Sequence, residues 1–247
     1  SESQLAAIQK GYKAIKSTPA KIAALTTLSK LSKGSNSASL ISEIATADEA
    51  TVDAIEVLLL SAKDAQVVDN INNAVGTADA KTKLVLLDIL AQRSNANSSK
   101  IILPLLSSAD APIRTAALKA LPTVVQNADF EALVNVLPQT NAEDSKYVQQ
   151  ALVLVLNSSA DKDAKVKKLA ANISRSAAPS AAKFFPIFAG VGGADALQSV
   201  QGYLKNTDGN LRKDAIASLA NWSNPESLST LISLSREEKD PATFAVV

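Results

Sequence analysis

The chain has 247 residues, a formal net charge of +1, no cysteine and no histidine. The lack of cysteine excludes disulfides and thiolate metal sites, and the small net charge argues against a whole-molecule attraction to nucleic acid or anionic lipid. Hydrophobic residues make up 47% of the chain but aromatic residues only 4%, so Ala, Leu, Ile and Val must form the core, a mixture that favours close-packed helices. No apolar run reaches the roughly 18 residues that a membrane-spanning helix needs.

The first predicted element is an amphipathic helix in residues 1–17, where Leu5, Ile8, Tyr12 and Ile15 recur at helical spacing. We expect it to cap the N-terminal end of a helical stack with a polar outer face. The first residues do not resemble a signal peptide, and an initiator methionine is absent. These features indicate a processed or engineered terminus on a soluble protein, and removal of a leader from a periplasmic or otherwise extracytoplasmic protein is one interpretation.

A repeat of about 30 residues follows, and its clearest copy is 108–138. Asp110 is a suitable helix N-cap and Pro112 lies in the first turn, where its missing N–H has no cost. Apolar residues at helical spacing occupy 113–124, and a second apolar stripe occupies 130–137. Because neither helix of such a hairpin can bury its apolar face against the other alone, we expect neighbouring hairpins to stack.

Seven quasi-regular units account for most of the chain. The core pairs that define the first helices are Leu25/Leu28, Ile55/Leu58, Leu87/Leu90, Leu118/Leu121, Leu152/Val155, Phe185/Phe188 and Ile216/Leu219. The second helices contain Ile41/Ile44, Val68/Ile71/Val75, Ile101/Leu105, Leu133/Leu137, Val166/Leu169/Ile173, Leu197/Val200/Leu204 and Leu228/Leu231/Leu234. The pattern predicts an all-α fold, a right-handed α-α superhelix of about seven antiparallel helix pairs, forming a single domain over residues 1–247.

Proline and the C-terminal residues add detail to this prediction. Pro104, Pro122 and Pro186 fall inside helical patterns, and we expect each to kink its helix. Residues 240–247 begin with an N-cap followed by proline and predict the start of a further, truncated helix. We therefore expect the natural protein to continue beyond Val247.

Two segments resemble the start of a HEAT repeat, in which an Asp and an Arg bracket the first turn: Asp110-x-x-Ile113-Arg114-x-x-Ala117 and Asp208-x-x-Leu211-Arg212-x-x-Ala215. The resemblance implies an armadillo-like solenoid. Residues 190–222 are similar to HEAT segments of multidomain bacterial proteins, which sometimes accompany a sugar-active domain. The Asp/Arg pairs themselves admit two interpretations, an anion or acid–base site, or a helix cap with an arginine that links neighbouring repeats.

No catalytic, cofactor or metal site is predicted, so we expect the protein not to be an enzyme. Without histidine or cysteine, the remaining acid–base candidates are the carboxylate pairs Asp48/Glu49, Asp161/Asp163 and Glu237/Glu238, whose positions near helix ends favour capping or solvation over a glycosidase pair. Residues 190–193, Gly-Val-Gly-Gly, superficially resemble a phosphate loop, but no strand precedes them. A tight turn is the simpler interpretation, although the N–H groups of the next helix could hold an anion.

The candidate binding residues are Trp222, Lys165 and Lys168. Trp222 is the sole tryptophan and could pack across the next repeat or stack on a ligand. The two lysines belong to a basic group in residues 162–175, which an acidic block in residues 43–79 separates from an N-terminal basic group. This segregation fits a solvated surface or complementary patches for a protein partner, whereas nucleic-acid binding would require basic groups interleaved with aromatic residues.

The sequence therefore predicts a non-enzymatic protein–protein interaction or scaffold module, monomeric, with no nucleic-acid partner. We expect its binding surface to be a concave face formed by the second helices, with Asn72, Lys168 and Gln198 as examples of polar residues there. The alternative is an accessory repeat domain of a larger bacterial, sugar-active enzyme whose catalytic domain lies outside this segment. A third possibility, a DNA-repair enzyme of HEAT type, would need a basic, aromatic-lined concavity, which the sequence does not indicate.

Among the aromatic residues, Phe184 is expected to be exposed beside the buried Phe185.

Overall fold

The computed structural model describes residues 8, 11–12, 14–33 and 35–237, and within these ranges the chain is helical with no strand. This confirms the all-α prediction. Of the predicted N-terminal helix, Ile8, Gly11 and Tyr12 are helical, and most of the rest lies outside the described residues. The predicted helix in residues 240–247 lies wholly outside them. The chain divides into two compact units, Ser1–Val124 and Val125–Val247, and the predicted single domain stays a prediction.

The first unit is a stack of antiparallel helices in two layers. Its helices are α1 (Thr18–Ser32), α2 (Ser37–Ile44), α3 (Glu49–Ser61), α4 (Gln66–Thr77), α5 (Ala80–Arg93), α6 (Ser99–Leu105) and α7 (Ala111–Val124). Helix α3 packs between α1 and α5, and α5 packs against α7. In the second layer, α4 packs between α2 and α6. Each helix therefore contacts its equivalent in the next hairpin, which is the arrangement of a helical-repeat protein.

The second unit repeats this arrangement. Its helices are α8 (Phe130–Val136), α9 (Ala142–Asn157), α10 (Lys162–Ile173), α11 (Ala178–Ala182), α12 (Phe185–Val191), α13 (Ala194–Gln201), α14 (Gly209–Ala220) and α15 (Leu228–Glu237). The first helices of successive hairpins pack in the order α9, α12, α14, and α11 also contacts α14. In the other layer, α10 packs against α13.

Short polar caps mark the starts of the first helices at intervals of 31 residues. Asp48, Asp79, Asp110 and Asn141 each accept a hydrogen bond from the backbone N–H three residues later. Such a bond satisfies one of the backbone donors that the first turn of a helix leaves unpaired. The prediction that Asp110 caps α7 is confirmed, and the same capping hydrogen bond recurs in the preceding and following repeats.

Side chains also join neighbouring hairpins through backbone carbonyls. The Arg93 guanidinium Nη1 donates to the carbonyl oxygens of Leu59, Leu60 and Ala62 at 2.6, 3.2 and 3.1 Å, so it caps the C-terminal end of α3 from the end of α5. Lys81 Nζ donates to the Ala47 carbonyl at 2.7 Å. A cation at a helix C-terminus is favoured by the helix dipole, so the Arg93 contact is an electrostatic link between repeats. Lys81 instead binds the loop that directly precedes the N-cap of α3.

Most predicted core residues are buried, but in some segments the buried residue is the one next to the residue that the sequence predicted. In α3, Leu59 is buried while Leu58 is half-buried, and in the segment 101–106 Ile102 and Leu106 are buried instead of the predicted Ile101 and Leu105. Where two or three adjacent residues are all apolar, helical spacing alone does not decide which one lies deepest in the interface. The neighbouring hairpin decides it.

Three further expectations are corrected in the second unit. Phe184 is 1% exposed, because the short helices α11 and α12 bring it into the core. Pro186 does not kink a helix. It lies in the first turn of α12, where a backbone N–H would have no partner within the helix, so the missing N–H of proline has no cost. In α13 and after it, Leu197 and Leu204 are half-buried and Ala196 takes a core position; in α15, Leu228 is exposed.

Candidate functional site

A groove of about 600 Å³ runs across the first-helix layer of the second unit. We call it the α9–α14 groove, because α9 and α14 form its walls and α11 and α12 its base. It is lined by Ala142, Ser145, Gln149, Pro179, Ala182, Lys183, Pro186, Ala189, Gly190, Asp214, Ala217, Ser218 and Asn221. Small side chains (Ala, Gly, Pro and Ser) dominate this set.

Helical periodicity explains how the walls form. Asp214, Ala217, Ser218 and Asn221 are three or four positions apart, which places them in one stripe along α14 and its C-cap. At the base, Gly190 packs so closely against α9 that an added Cβ would lie 2.9 Å from a Cγ of Val153. A larger residue at the base would therefore push α9 and α12 apart.

Several polar groups that line the groove are held by hydrogen bonds within the chain. Gln149 Nε2 donates to the Lys183 carbonyl at 2.8 Å. Lys183 Nζ donates to the carbonyl of Pro138 at 2.9 Å and to that of Thr140. Ser218 Oγ donates to the Phe185 carbonyl at 2.8 Å. These contacts tie the walls to the base and fix the shape of the groove in advance of any ligand.

Asp214 differs from the other polar lining residues. Its side chain is exposed, and no ion pair joins it to a cation in the described part of the chain. Partial desolvation in the groove, together with the like charge of Asp208, raises the pKa of the Asp214 carboxyl. By contrast, hydrogen bonds from Thr18 and Thr51 lower the pKa of Asp48 to about 2. Asp214 is thus a carboxylate whose charge the groove itself does not neutralise.

The first unit also has a groove in its first-helix layer, of about 550 Å³, between α5 and α7. Its lining includes Leu87, Asp88, Ala116 and Lys119. Neither groove is lined by the second-helix residues that the sequence suggested, Asn72, Lys168 and Gln198. A binding surface on the second helices stays a prediction.

Trp222 packs at the end of α14 and is only 9% exposed, so its ring offers little surface for stacking on a ligand. Its indole Nε1 lies 3.4 Å from Glu226 Oε2, which also accepts a hydrogen bond from the Gly193 N–H at 2.8 Å. Gly192 and Gly193 have φ angles of +65° and +91°, which confirms the predicted glycine turn. The anion at this turn is the chain's own Glu226.

The two candidate lysines are engaged within the chain. Lys165 Nζ donates to Ser159 Oγ at 2.6 Å and to Asp161 Oδ1 at 2.7 Å, and also binds Asn127 Oδ1. Lys168 Nζ forms an exposed ion pair with Glu131 at 2.5 Å. Lys165 therefore joins the turns before α8 and α10, which is a structural role, and Lys168 stays a weak binding candidate.

Two of the carboxylates that the sequence offered as acid–base candidates, Asp48 and Asp161, are engaged within the chain near helix starts. Asp48 caps α3, and the ion pair with Lys165, followed by a hydrogen bond from Ser159, lowers the pKa of Asp161 to about 2. Glu238 lies outside the described residues. At these pKa values Asp48 and Asp161 are ionised throughout the neutral range and are poor proton donors.

The Asp/Arg pairs are also local structures. Arg114 Nη1 donates to the Ser108 carbonyl at 2.6 Å, and Arg212 Nε donates to the Leu204 carbonyl at 2.8 Å. Both arginines therefore bind the loop that precedes their own helix. Among the described residues, no group of three or more potential metal ligands is close enough to hold an ion. None of the described helices combines the length and apolar character needed to cross a bilayer.

Sequence reasoning missed Asp214 and the α9–α14 groove. The available signal was the run of small residues and proline in 177–182, followed by Pro186 and by Ala189-Gly190, which is unusual beside the Leu-rich first helices of the other repeats. That run indicates a recessed helix, but the identity of the walls depends on which helices flank it.

The arrangement defines a class, an all-α helical-repeat protein. No protein-family model matches the sequence, and no curated protein matches it significantly. Among solved structures, a crystal structure of an engineered protein from a structural genomics consortium is similar at 16% identity and a TM-score of 0.46, over 91% of this chain and 69% of that one. A likeness of this extent does not establish a common fold.

Proposed function

We propose that the protein is a non-enzymatic protein-binding or scaffold module built from HEAT-like repeats, and that it binds a partner segment in the α9–α14 groove. The observation that carries the proposal is the groove itself, a recess of about 600 Å³ lined mainly by Ala, Pro and Gly. Small apolar side chains leave room for a partner's backbone and side chains, while the polar residues on the walls can orient it.

The condition of the groove's polar groups favours binding over chemistry. Gln149, Lys183 and Ser218 already donate hydrogen bonds to backbone carbonyls, so these contacts hold the site in shape. A preformed site loses little conformational entropy when a ligand binds, which favours affinity. No pair of groups lining the groove has the base-and-nucleophile arrangement that covalent catalysis requires.

Membership of the HEAT class is part of the same proposal. It is supported by the two-layer stacking within each unit and by the capping geometry of Asp110 and Asp208 at the motifs that resemble the HEAT signature. The alternative of an accessory domain in a larger bacterial, sugar-active enzyme would use the same surface to bind a neighbouring domain.

The test is a selection of short random peptides displayed on phage against the full chain, followed by nuclear magnetic resonance mapping of the binders. We expect binders whose contact shifts cluster on α9, α12 and α14. Ala217→Leu fills the groove and should weaken binding at least about tenfold. Ala220→Leu, an exposed position on the same helix outside the groove, is the matched control and should leave binding unchanged. Failure to select any binder, or binders that map elsewhere, would refute this function.

A further inference from the structure

The last described helix, α15, carries an exposed apolar face. Leu228 is 53% exposed and Ile232 is 50% exposed, and Leu231 is half-buried. These three residues recur at the spacing that places them on one side of a helix, and we call them the α15 stripe. In a helical-repeat protein, an interior repeat has such a face covered by its neighbour, and a terminal repeat has a polar outer face instead. The α15 stripe therefore has the composition of an interior face.

Helix α8 has the same construction, and there the face is covered. Each of the two helices follows a short 3-10 helix, Asn127–Asp129 before α8 and Pro225–Ser227 before α15. The first, fourth and fifth residues of α8, which match the α15 stripe by position, are Phe130, Leu133 and Val134, and all three are buried. The first helix of the next hairpin, α9, packs against α8. The difference in exposure between the two helices therefore follows from the helix that comes next.

The packing of a second helix against the next first helix recurs in both units. It joins α2 to α3, α4 to α5, α6 to α7 and α13 to α14. Among the described elements, α15 packs against α14, the first helix of its own hairpin. The position of the next first helix falls after Glu237, where the described residues end. Continuity with the established interface thus indicates the occupant of the stripe, which is the segment directly after α15.

The sequence of residues 240–247 matches the start of a first helix. Asp240 comes 32 residues after Asp208, the cap of α14, and earlier caps are 31 residues apart. Asp240-x-x-Thr243 repeats the pattern of Asp48-x-x-Thr51 and Asp79-x-x-Thr82, in which the threonine N–H donates to the aspartate Oδ1 at 2.8 Å. Pro241 follows the cap directly, a position that favours a helix start.

The apolar residues of this segment stand at core positions of the repeat. Phe244 is four residues after Asp240, as the buried Val52 is after the cap of α3. Val247 is seven residues after it, and the residues at that position in α3, α5, α7, α9 and α14 are all buried: Ile55, Leu86, Ala117, Val148 and Ala215. Seven helical residues span about 10 Å, whereas the α15 stripe spans about 6 Å along its helix. The segment is long enough to cover the stripe.

We propose that the α15 stripe is the docking surface for residues 240–247 of the same chain, which pack on it as the first turns of a further first helix. Phe244 and Val247 are the side chains that cover the stripe, and Asp240 sets their register as the cap. The stripe is then closed by the chain itself and is not a site for a partner protein. The proposed function, which uses the α9–α14 groove, does not depend on this assignment.

The test uses the lack of cysteine, because a single introduced thiol can be labelled with a maleimide in the full chain. Ile232→Cys should react slowly, since a covered thiol is labelled only when its cover opens. Adding Phe244→Asp, or Val247→Asp as a second variant, should raise that rate at least about tenfold. Ala242→Asp is the matched control and should leave the rate unchanged, because the second residue after the cap is exposed in α3, α5, α7, α9 and α14.

A second thiol reports on the rest of the unit. Leu154→Cys, on α9, replaces a leucine that is 45% exposed and should label at the same fast rate in every variant. Circular dichroism and Trp222 fluorescence check that each variant is folded, and Val247→Asp takes the place of Phe244→Asp if either signal changes. Fast labelling of Ile232→Cys with or without the added aspartate would overturn the proposal. Protection that appears only at high protein concentration would also overturn it, because a second copy would then be the cover.

Discussion

The stacking of first helices can be tested by two substitutions on α9 that differ only in burial. Leu152 is fully buried, whereas Leu154, two residues further along the same helix, is 45% exposed. Leu→Ala removes three carbon groups, worth about 2.4 kcal/mol of transfer free energy at ~0.8 kcal/mol each, and the cavity left at a buried site raises the cost to about 3–4 kcal/mol. At Leu154 only about half of the transfer free energy is at stake and no enclosed cavity forms, so we expect about 1 kcal/mol.

The measurement is equilibrium unfolding in urea, followed by tryptophan fluorescence. Trp222 is the sole tryptophan and belongs to the same unit as α9, so its signal reports on the unfolding of that unit. With a denaturant slope of about 2 kcal/mol per molar urea, Leu152→Ala should lower the midpoint by about 1.5–2 M and Leu154→Ala by about 0.5 M. A cost below 1 kcal/mol for Leu152→Ala, or equal costs at the two sites, would refute the placement of Leu152 in the interface between neighbouring hairpins.

Three further predictions concern caps and turns. Arg93→Met removes three hydrogen bonds to the end of α3 and should lower the free energy of chemical unfolding by about 2 kcal/mol. The control Lys63→Met, at an exposed site, should lower it by less than about 0.5 kcal/mol. Similar losses for the two variants would argue against the cap. Gly192→Ala, at φ +65°, should lower the thermal midpoint by several degrees. Gly209→Ala should leave the midpoint unchanged or raise it, because an added Cβ there meets open space; the reverse order would contradict the turn geometry. The folded-state pKa of Asp161 is about 2, below its unfolded value, so its stabilising contribution is present above about pH 4 and is lost as the pH falls towards 2. Asp161→Asn should therefore melt below the unchanged protein at pH 7 and approach it at pH 2, and a difference independent of pH would exclude the ion pair as the cause.

Much of the fold follows from local rules that act within one hairpin. Asp110 before an apolar helical pattern predicts a capped helix, and the structure places the cap and the helix there. The glycines at 192 and 193 predict a turn with positive φ, because other residues adopt that conformation only with strain. Neither the cap nor the glycine turn depends on which residues pack against the hairpin.

The predictions of buried positions and helix breaks fail where contacts with a neighbouring helix determine the result. Leu58 and Leu59 are equally apolar and adjacent, and the choice of Leu59 for the core comes from the helices packed against α3. In the sequence, Pro186 is compatible both with a kinked helix and with the start of a new one. The break between α11 and α12 shows that it lies at a start. The same limit applies to the candidate site, since a carboxylate in a sequence gives no sign of whether a cation will face it.

The sequence by itself determined that this protein is a series of capped helical hairpins of about 30 residues, because hydrophobic spacing, N-cap residues and glycine turns act over a few neighbouring positions. Only the tertiary structure decided which residue of each apolar run is buried, and that small side chains on α11 and α12 line a groove together with α9 and α14. Those features depend on contacts between residues more than 30 positions apart, such as the hydrogen bonds from the Gln149 side chain to the Lys183 carbonyl and from the Ser218 hydroxyl to the Phe185 carbonyl, and no local pattern encodes them.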